Sequence, residues 1–208
     1  MPDLACALRA VLPPGVALGQ GQIAPLWPGE AVPGAVPARL AEFARGRSAA
    51  RDAMRVLGVA GAAVPMRPDR SPDWPVGLTG SISHCEGACL AILGLRAEFA
   101  GLGLDIEPKR GLDSDLWPVI LRPEECDGLS DPLLALAIFV AKEAAYKAQY
   151  AVTGQVFDFH TLSVVITADR FAAIYQRQVG GFAKGCALHG RLVQTARHIA
   201  AVCAVTAS

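Results

Sequence analysis

The sequence has no excess of charge of either sign: 19 Lys and Arg residues balance 19 Asp and Glu residues. Nucleic-acid binding usually requires a basic surplus, so zero net charge argues against nucleic acid as the default partner. The chain also lacks an apolar run of about twenty residues, and Met1-Pro2-Asp3 begins without a basic segment and hydrophobic core. We therefore expect neither a membrane span nor a secretory signal, and a cytoplasmic protein.

Cysteine pairs of the C-x-x-C kind are absent as well. Cys85 and Cys89 have no second pair at zinc-ribbon spacing. We therefore expect reduced core or surface thiols rather than disulfides or a zinc site. The six cysteines are Cys6, Cys85, Cys89, Cys126, Cys186 and Cys203.

The chain does contain many apolar residues and a concentrated group of charges. Of its 208 residues, 52% are hydrophobic and 18% are charged, which allows a sizeable core in one domain or two small halves.

A short acidic segment, Gly103-Leu104-Asp105-Ile106-Glu107, precedes Pro108. Its period of two predicts a strand that buries aliphatic side chains on one face and turns both carboxylates to the other, and Pro108 ends it. Adjacent carboxylates repel unless a cation lies between them, so we expect a hard cation, magnesium, at Asp105 and Glu107.

Residues 133–150 form a second informative segment. They are rich in Ala, Leu and Lys, contain no Gly or Pro, and follow Asp131 and Pro132, which suit an N-cap and a first turn. Glu143 and Lys147 are four residues apart on this predicted helix and share a face. Read alone, they could be a surface ion pair worth roughly 0.3–0.5 kcal/mol, and the acidic strand could be a solvated sheet edge.

Together, the two segments resemble the signature of the phosphopantetheinyl transferases, G-L-D-I-E-P followed by F-x-x-K-E-A-x-Y-K. This family moves the phosphopantetheine arm of coenzyme A onto a serine of a carrier protein. Residues 74–85 resemble the W-P-x-G-x-x-G-S-I-S-H-C box of the enterobactin-synthase type, and residues 39–58 resemble its basic N-terminal helix. Phe139 replaces a tryptophan found in many members. Met66 stands where a lysine would help in related members, so nearby arginines must supply that charge.

The resemblance implies an α+β fold of two halves related by a pseudo-twofold axis, each a long helix packed on an antiparallel sheet, with the active site in the cleft between them. The residues are consistent with this: a helix at about 38–57, a hairpin within 81–95, the helix at 133–150 and period-two strands after it. We place the boundary near residues 96–101, which gives an N-terminal half of 1–100 and a C-terminal half of 101–208. No clear internal repeat is visible.

The resemblance also implies the roles of individual residues. A serine hydroxyl would attack the β-phosphate of coenzyme A, with 3′,5′-ADP as the leaving group. Asp105 and Glu107 would hold Mg²⁺, and Glu143 would complete the metal sphere, serve as the base, or both. Lys142 and Lys147 would contact the phosphates, Lys147 being better placed for the chemistry. Since they are five residues apart, about 500° of helical rotation, they need not point the same way.

Coenzyme A carries a 3′-phosphate and a pyrophosphate, which require cationic groups. The resemblance assigns the adenosine 3′-phosphate end to the arginines of the first helix and of the proline-rich loop, and the other phosphate contacts to the histidine box and the second helix. Arg45 and Arg55 are interpreted as the solvated face of the helix, and Arg51 is left open. The implied coenzyme A-binding residues are Arg39, Arg47, Arg67, Arg70, Ser83, His84, Lys142 and Lys147.

The acceptor would be an apo acyl, peptidyl or aryl carrier protein, and the enterobactin-like boxes favour siderophore or nonribosomal-peptide carriers. A two-halved chain can build its cleft as a monomer. Two other functions stay open: a catalytically idle paralogue that only binds carriers, and another magnesium-dependent nucleotide or phosphate enzyme.

Overall fold

The computed structural model describes residues 3–207, which form an α+β fold with two antiparallel sheets, as predicted. The helices are α1 (Leu4–Arg9), α2 (Pro37–Leu57), α3 (Trp117–Ile120), α4 (Pro123–Cys126) and α5 (Pro132–Thr153). The strands are β1 (Ala17–Gln20), β2 (Leu78–Cys85), β3 (Ala88–Leu95), β4 (Phe99–Pro108), β5 (Leu162–Thr167), β6 (Arg170–Tyr175), β7 (Ala187–Gln194) and β8 (His198–Thr206).

The two sheets are of unequal size. The first has three strands in the order β1-β3-β2, and the second has five in the order β4-β8-β7-β6-β5. A tight turn joins β2 to β3, and Gly87 within it has φ near 80°, a conformation that costs glycine little. The predicted hairpin and the predicted C-terminal strands are therefore confirmed. Helix α1 has no counterpart among the predicted elements.

Both long helices begin where their sequences predict, and α5 continues to Thr153, three residues beyond its predicted end. Pro37 starts the first turn of α2, and Gly58 ends it in the left-handed conformation. At the start of α5 the Asp131 carboxylate accepts a hydrogen bond from the Leu133 N–H at 2.8 Å, so Asp131 is the N-cap. Within residues 3–207, no helix is long and apolar enough to cross a membrane.

Three apolar clusters hold the layers together. One lies between α2 and the three-stranded sheet, and a second between α5 and the five-stranded sheet. The third lies between α1, β1 and β3 on one side and β4, β7 and β8 on the other, and joins the two halves. Leu102, Leu104 and Ile106 of β4 belong to this third cluster, so one face of β4 is aliphatic and buried, as its alternation predicts.

The other face of β4 lies against α5 rather than solvent. A Cβ atom on Gly103 would lie 1.8 Å from the carbonyl oxygen of Ala144, and one on Gly101 would lie 2.1 Å from that of Ala148. Glycine on the strand and alanine on the helix thus allow the two backbones to approach closely. This approach places Asp105, two residues beyond Gly103, beside the middle of α5.

Candidate active site

Asp105 is the residue at which three elements meet. Its Oδ1 atom lies 2.5 Å from Lys147 Nζ of α5 and accepts a hydrogen bond from Ser83 Oγ of β2 at 3.2 Å. The Ser83 hydroxyl also accepts from the Ile106 N–H at 3.2 Å, and Lys147 Nζ donates to the Leu104 carbonyl at 3.2 Å. Ser83 is buried at 6% exposure, so its hydroxyl connects the two halves beneath the surface. Its predicted contact with coenzyme A stays a prediction.

The second oxygen of Asp105 is buried without a partner. Among the described residues, no hydrogen-bond donor reaches Oδ2, and leaving a buried carboxylate oxygen unpaired costs free energy. A hard cation with oxygen ligands would satisfy it. The chemistry of this oxygen and its neighbouring carboxylates fits Mg²⁺.

Glu107 and Glu143 supply the neighbouring negative charge. Burial raises the pKa of Glu107, and the charges of Asp105 and Glu143 raise it further, while Lys147 opposes them. Burial also raises the pKa of Glu143, with Lys147 opposing and Asp105 adding to the effect. The three predicted metal ligands thus lie within electrostatic reach of each other.

These carboxylates do not form a closed cage. In the part of the chain that the structure describes, no three His, Cys, Asp or Glu side chains are placed to hold a metal ion as they stand. Mg²⁺ commonly binds through one or two carboxylates, several waters and the phosphates of a substrate, so an open carboxylate site is compatible with it.

The two predicted catalytic-helix lysines point in different directions, as their spacing allows. Lys142 is 1% exposed, and its Nζ atom lies 2.6 Å from Glu125 Oε2 and 2.8 Å from the Ile120 carbonyl oxygen. Burial lowers the pKa of Lys142, and Glu125 opposes this shift. Glu125 also accepts the N–H groups of Arg122 at 2.8 Å and Val164 at 2.6 Å. Lys142 therefore braces α5 against α4 and β5, and its contact with coenzyme A stays a prediction.

His84 lies in a region of positive charge. It is exposed at the end of β2 and lines a cavity of about 370 Å³ together with Glu42 and Arg45. Partial desolvation of the ring by its neighbours lowers the pKa of His84, Glu42 opposes this, and the charges of Arg39, Lys147 and Arg45 lower it further. The structure thus brings the predicted Arg39 and Lys147 each within electrostatic reach of His84. Arg45 belongs to the same region, and no local sequence signal distinguishes it from Arg55.

Arg47 is placed differently from Arg39. It is 6% exposed and stacks over the Phe43 ring at 3.9 Å, and its Nε atom donates to the Val64 carbonyl at 2.5 Å. Its Nη2 atom donates to the Pro65 carbonyl at 3.3 Å. Burial lowers the pKa of Arg47 to about 10. Its predicted phosphate contact is untested, and the observed contacts show that it supports the loop after Val64.

Arg51, which the sequence leaves open, has a structural partner. Its Nη1 atom lies 2.7 Å from both carboxylate oxygens of Glu30, and its guanidinium lies over the Trp27 ring at 4.6 Å. Glu30 in turn accepts the N–H groups of Trp27 and Val64. Arg51 therefore holds the segment before α2 against the helix.

The proline-rich loop of residues 65–73, which we call the 65–73 loop, carries the two remaining predicted coenzyme A contacts. Arg67 forms an ion pair with Asp73 at 2.8 Å inside the loop, and Arg70 is exposed with φ near 69°. The loop is closed by hydrogen bonds from the Arg67 N–H to the Ser71 carbonyl and from the Asp73 N–H to the Pro65 carbonyl. Both arginines thus lie on an ordered, self-braced turn.

Two family models match the chain. The 4′-phosphopantetheinyl transferase N-terminal domain matches residues 28–94, and the 4′-phosphopantetheinyl transferase superfamily matches residues 101–203. The first covers α2 and the β2-β3 hairpin, and the second covers β4, α5 and most of the five-stranded sheet.

Curated relatives carry the same family name. The chain is 36% identical over 155 residues to 4′-phosphopantetheinyl transferase Svp of Streptomyces mobaraensis, which covers 69% of this chain and 62% of that protein. It is 32% identical over 139 residues to 4′-phosphopantetheinyl transferase PptT of Mycobacterium tuberculosis, covering 64% and 61%. It is 40% identical over 118 residues to enterobactin synthase component D of Salmonella typhi, covering 53% and 48%. The alignments thus span about half to three fifths of the length of these relatives.

The N-terminal domain model covers the segment that holds Ser83 and His84. The superfamily model covers the segment that holds Asp105, Glu143 and Lys147. Together with the named relatives, they place the chain in the 4′-phosphopantetheinyl transferase superfamily.

Proposed function

We propose that this protein transfers the 4′-phosphopantetheine moiety of coenzyme A to a serine of an apo carrier protein and releases 3′,5′-ADP. The observation that carries the proposal is Asp105. One of its oxygens is held by Lys147 and Ser83, and the other is buried and unpartnered beside two further acidic residues. Transfer of a phosphate-linked group requires such a site to neutralise phosphate charge.

Asp105, Glu107 and Glu143 are the residues that would hold Mg²⁺. When bound, the ion neutralises charge on the phosphate oxygens and orients them. Lys147 then has two roles of its own. It holds Asp105 in place, and its ammonium, which is partly exposed, can stabilise the charge that develops on the phosphoryl group or protonate the leaving side.

Glu143 suits the role of base. Its raised pKa makes its carboxylate a stronger proton acceptor than an exposed glutamate, and it lies four residues from Lys147 on the same face of α5. It also lines an apolar cavity of about 210 Å³ with Tyr146 and Phe157. A carrier serine delivered to the mouth of this cavity could lose its proton to Glu143, directly or through a water molecule.

His84 and Arg39 would contact the nucleotide end of coenzyme A. His84 lies within electrostatic reach of both Arg39 and Lys147, so an extended anionic ligand bound at His84 would be attracted by cations on either side. A neutral His84 donates one hydrogen bond, and a bound phosphate would favour its protonated form. Arg67 and Arg70 would add charge from the 65–73 loop.

The names of the relatives suggest the acceptor. Enterobactin synthase component D is among them, which makes peptidyl and aryl carriers of siderophore and other nonribosomal-peptide synthesis the first choices. Such assembly is cytoplasmic, and we propose that this protein acts there, as a monomer.

The test is transfer itself. The purified protein is incubated with coenzyme A, Mg²⁺ and a panel of apo acyl, peptidyl and aryl carriers, and mass spectrometry follows the carriers while chromatography follows 3′,5′-ADP. We expect one or more carriers to gain one phosphopantetheine, and Asp105→Ala to abolish the gain while circular dichroism stays unchanged. Near-normal magnesium-dependent turnover by Asp105→Ala would overturn the metal assignment.

Two outcomes would favour the other functions. Carrier binding without product by the wild-type protein would indicate an idle carrier-binding paralogue. Hydrolysis of a nucleotide in the absence of any carrier would indicate a different magnesium-dependent phosphate enzyme.

A further inference from the structure

A hydrogen bond connects the 65–73 loop of the N-terminal half to the catalytic helix of the C-terminal half. The Tyr150 hydroxyl donates to Asp69 Oδ2 at 2.6 Å, across 81 residues of sequence. Asp69 occupies the tip of the loop, between Arg67 and Arg70. Tyr150 lies on α5, seven residues after Glu143 and three after Lys147, so all three share one face of the helix.

Asp69 is organised for this contact from within its own loop. Its Oδ1 atom accepts both the N–H of Ser71 at 2.9 Å and the hydroxyl of Ser71 at 2.7 Å. These bonds fix the carboxylate plane and leave Oδ2 to point at α5. The same hydrogen bonds, that from Tyr150 first, lower the pKa of Asp69 to about 2, so its carboxylate stays charged in any neutral buffer.

Tyr150 is held from the other side. Its ring stacks on Tyr146 with a centroid distance of 5.9 Å, and Tyr146 meets Phe157 edge-on at 5.1 Å. Tyr146 and Phe157 are walls of the apolar cavity beside Glu143. The contact therefore joins the loop that carries Arg67 and Arg70 to the part of α5 that carries Glu143 and Lys147.

We propose that Tyr150 and Asp69 are positioning residues: their hydrogen bond latches the 65–73 loop onto α5 and thereby fixes the nucleotide end of coenzyme A relative to Lys147. The proposal rests on the proposed function for the identity of the ligand. The latch itself is a property of the protein without ligand. It stabilises the bound conformation of the loop in advance, which lowers the entropy that binding must remove.

Two measurements test the latch, one of which needs no activity. Trypsin can cut the loop after Arg70, whereas the bond after Arg67 is protected by Pro68. If cleavage requires the loop to open, Tyr150→Phe should raise the rate of cutting after Arg70 by roughly three- to tenfold, the effect of one hydrogen bond. Titration calorimetry with coenzyme A alone should show an affinity weakened by a similar factor.

A double-mutant cycle separates the latch from other effects of each substitution. Asp69→Ala should have at least the effect of Tyr150→Phe, because it also removes the two hydrogen bonds from Ser71. Tyr150→Phe should have no further effect in the Asp69→Ala background. Asp169→Ala is the matched control. Asp169 is an exposed carboxylate on the β5-β6 turn and pairs with Arg191 of β7. It should change neither the cleavage after Arg70 nor the affinity for coenzyme A.

In the transfer assay, Tyr150→Phe should raise KM for coenzyme A while kcat and KM for the carrier stay within about twofold of wild type. The latch is wrong if Tyr150→Phe matches wild type in both trypsin cutting and coenzyme A affinity, or if the effects of the two substitutions add in full. If both measurements shift as expected and no carrier gains phosphopantetheine, the latch stands and the proposed function fails.

Discussion

Lys147 Nζ lies 2.5 Å from Asp105 Oδ1, so the ammonium on α5 contacts the carboxylate that the proposed metal would use. Asp105 is buried and Lys147 is partly exposed, so the pair connects the protein interior to the surface. The sequence predicts both residues in the site, and the spacing of α5 read alone would allow an ion pair of Lys147 with Glu143. The observed partner of Lys147 is on β4, and Glu143 stays available to act on a substrate.

This pairing separates the roles of the two lysines. Lys147→Met should reduce transfer by at least about 100-fold, because it removes both the cation at the phosphates and the group that holds Asp105. It should lower the free energy of unfolding by about 1–3 kcal/mol, because Lys147 is partly exposed but Asp105 is left buried without its cation. Steady-state transfer kinetics and urea unfolding measure the two effects.

Lys142→Met is the informative comparison. It leaves Glu125 buried without its cation, so it should cost about 3 kcal/mol or more of stability. Transfer per folded molecule should fall much less than for Lys147→Met. The opposite pattern, a stable Lys142→Met protein with a large loss of coenzyme A affinity, would restore Lys142 to the phosphate site.

Gly103 should tolerate no side chain. The Cβ of Gly103→Ala would lie 1.8 Å from the Ala144 carbonyl oxygen, so α5 would have to move away from β4. We expect a loss of about 2 kcal/mol or more in thermal or urea unfolding, and a loss of transfer because Lys147 moves with the helix. Gly181→Ala is the control: no heavy atom lies within 4 Å of its added Cβ, and it should be neutral. A Gly103→Ala protein of wild-type stability would show that the helix does not approach this strand so closely.

The residues of β4 show how far the sequence leads. Alternation predicts which side chains face the inter-sheet core, because burial follows the period of the strand. The glycines of its other face give no such signal, and only the packing of α5 explains them. The sequence is equally uninformative about the partners of Lys142 and Arg47. Their motif positions predict phosphate contacts, whereas the structure pairs them with Glu125 and the Val64 carbonyl. These partners are set by the tertiary packing of segments that no motif describes.

Glu143 should make the folded protein less stable at neutral pH than a glutamine would. Burial raises the pKa of Glu143, so the folded state binds its proton more tightly than the unfolded state. The stabilisation from that proton is complete below the unfolded pKa and is lost as pH rises through the folded pKa. Glu143→Gln should therefore raise Tm at pH 7 by on the order of 2 °C, and the difference should shrink toward about pH 4.

Glu124→Gln provides a control of opposite sign. The hydrogen bond from the Arg122 side chain lowers the pKa of Glu124, so this carboxylate stabilises the fold above its unfolded pKa and loses that effect as pH falls. Glu124→Gln should leave Tm at pH 7 unchanged or slightly lower. A Glu143→Gln protein less stable than wild type at pH 7 would mean that its carboxylate is favourably paired when ionised.

Arg47 and Arg39 should respond differently to substitution, although both belong to the predicted coenzyme A set. Arg47→Met leaves the Val64 and Pro65 carbonyls without their donor, which should cost about 1–3 kcal/mol and loosen the start of the 65–73 loop.

Arg39 is an exposed side chain paired with Glu42 one turn away, so Arg39→Ala should change stability by less than about 0.5 kcal/mol. Its effect should appear in calorimetry as weaker binding of coenzyme A, since it removes one of the cations around His84. An Arg47→Met protein that keeps wild-type stability and loses coenzyme A affinity would contradict this division, because it would make Arg47 a direct phosphate contact rather than the support of the loop.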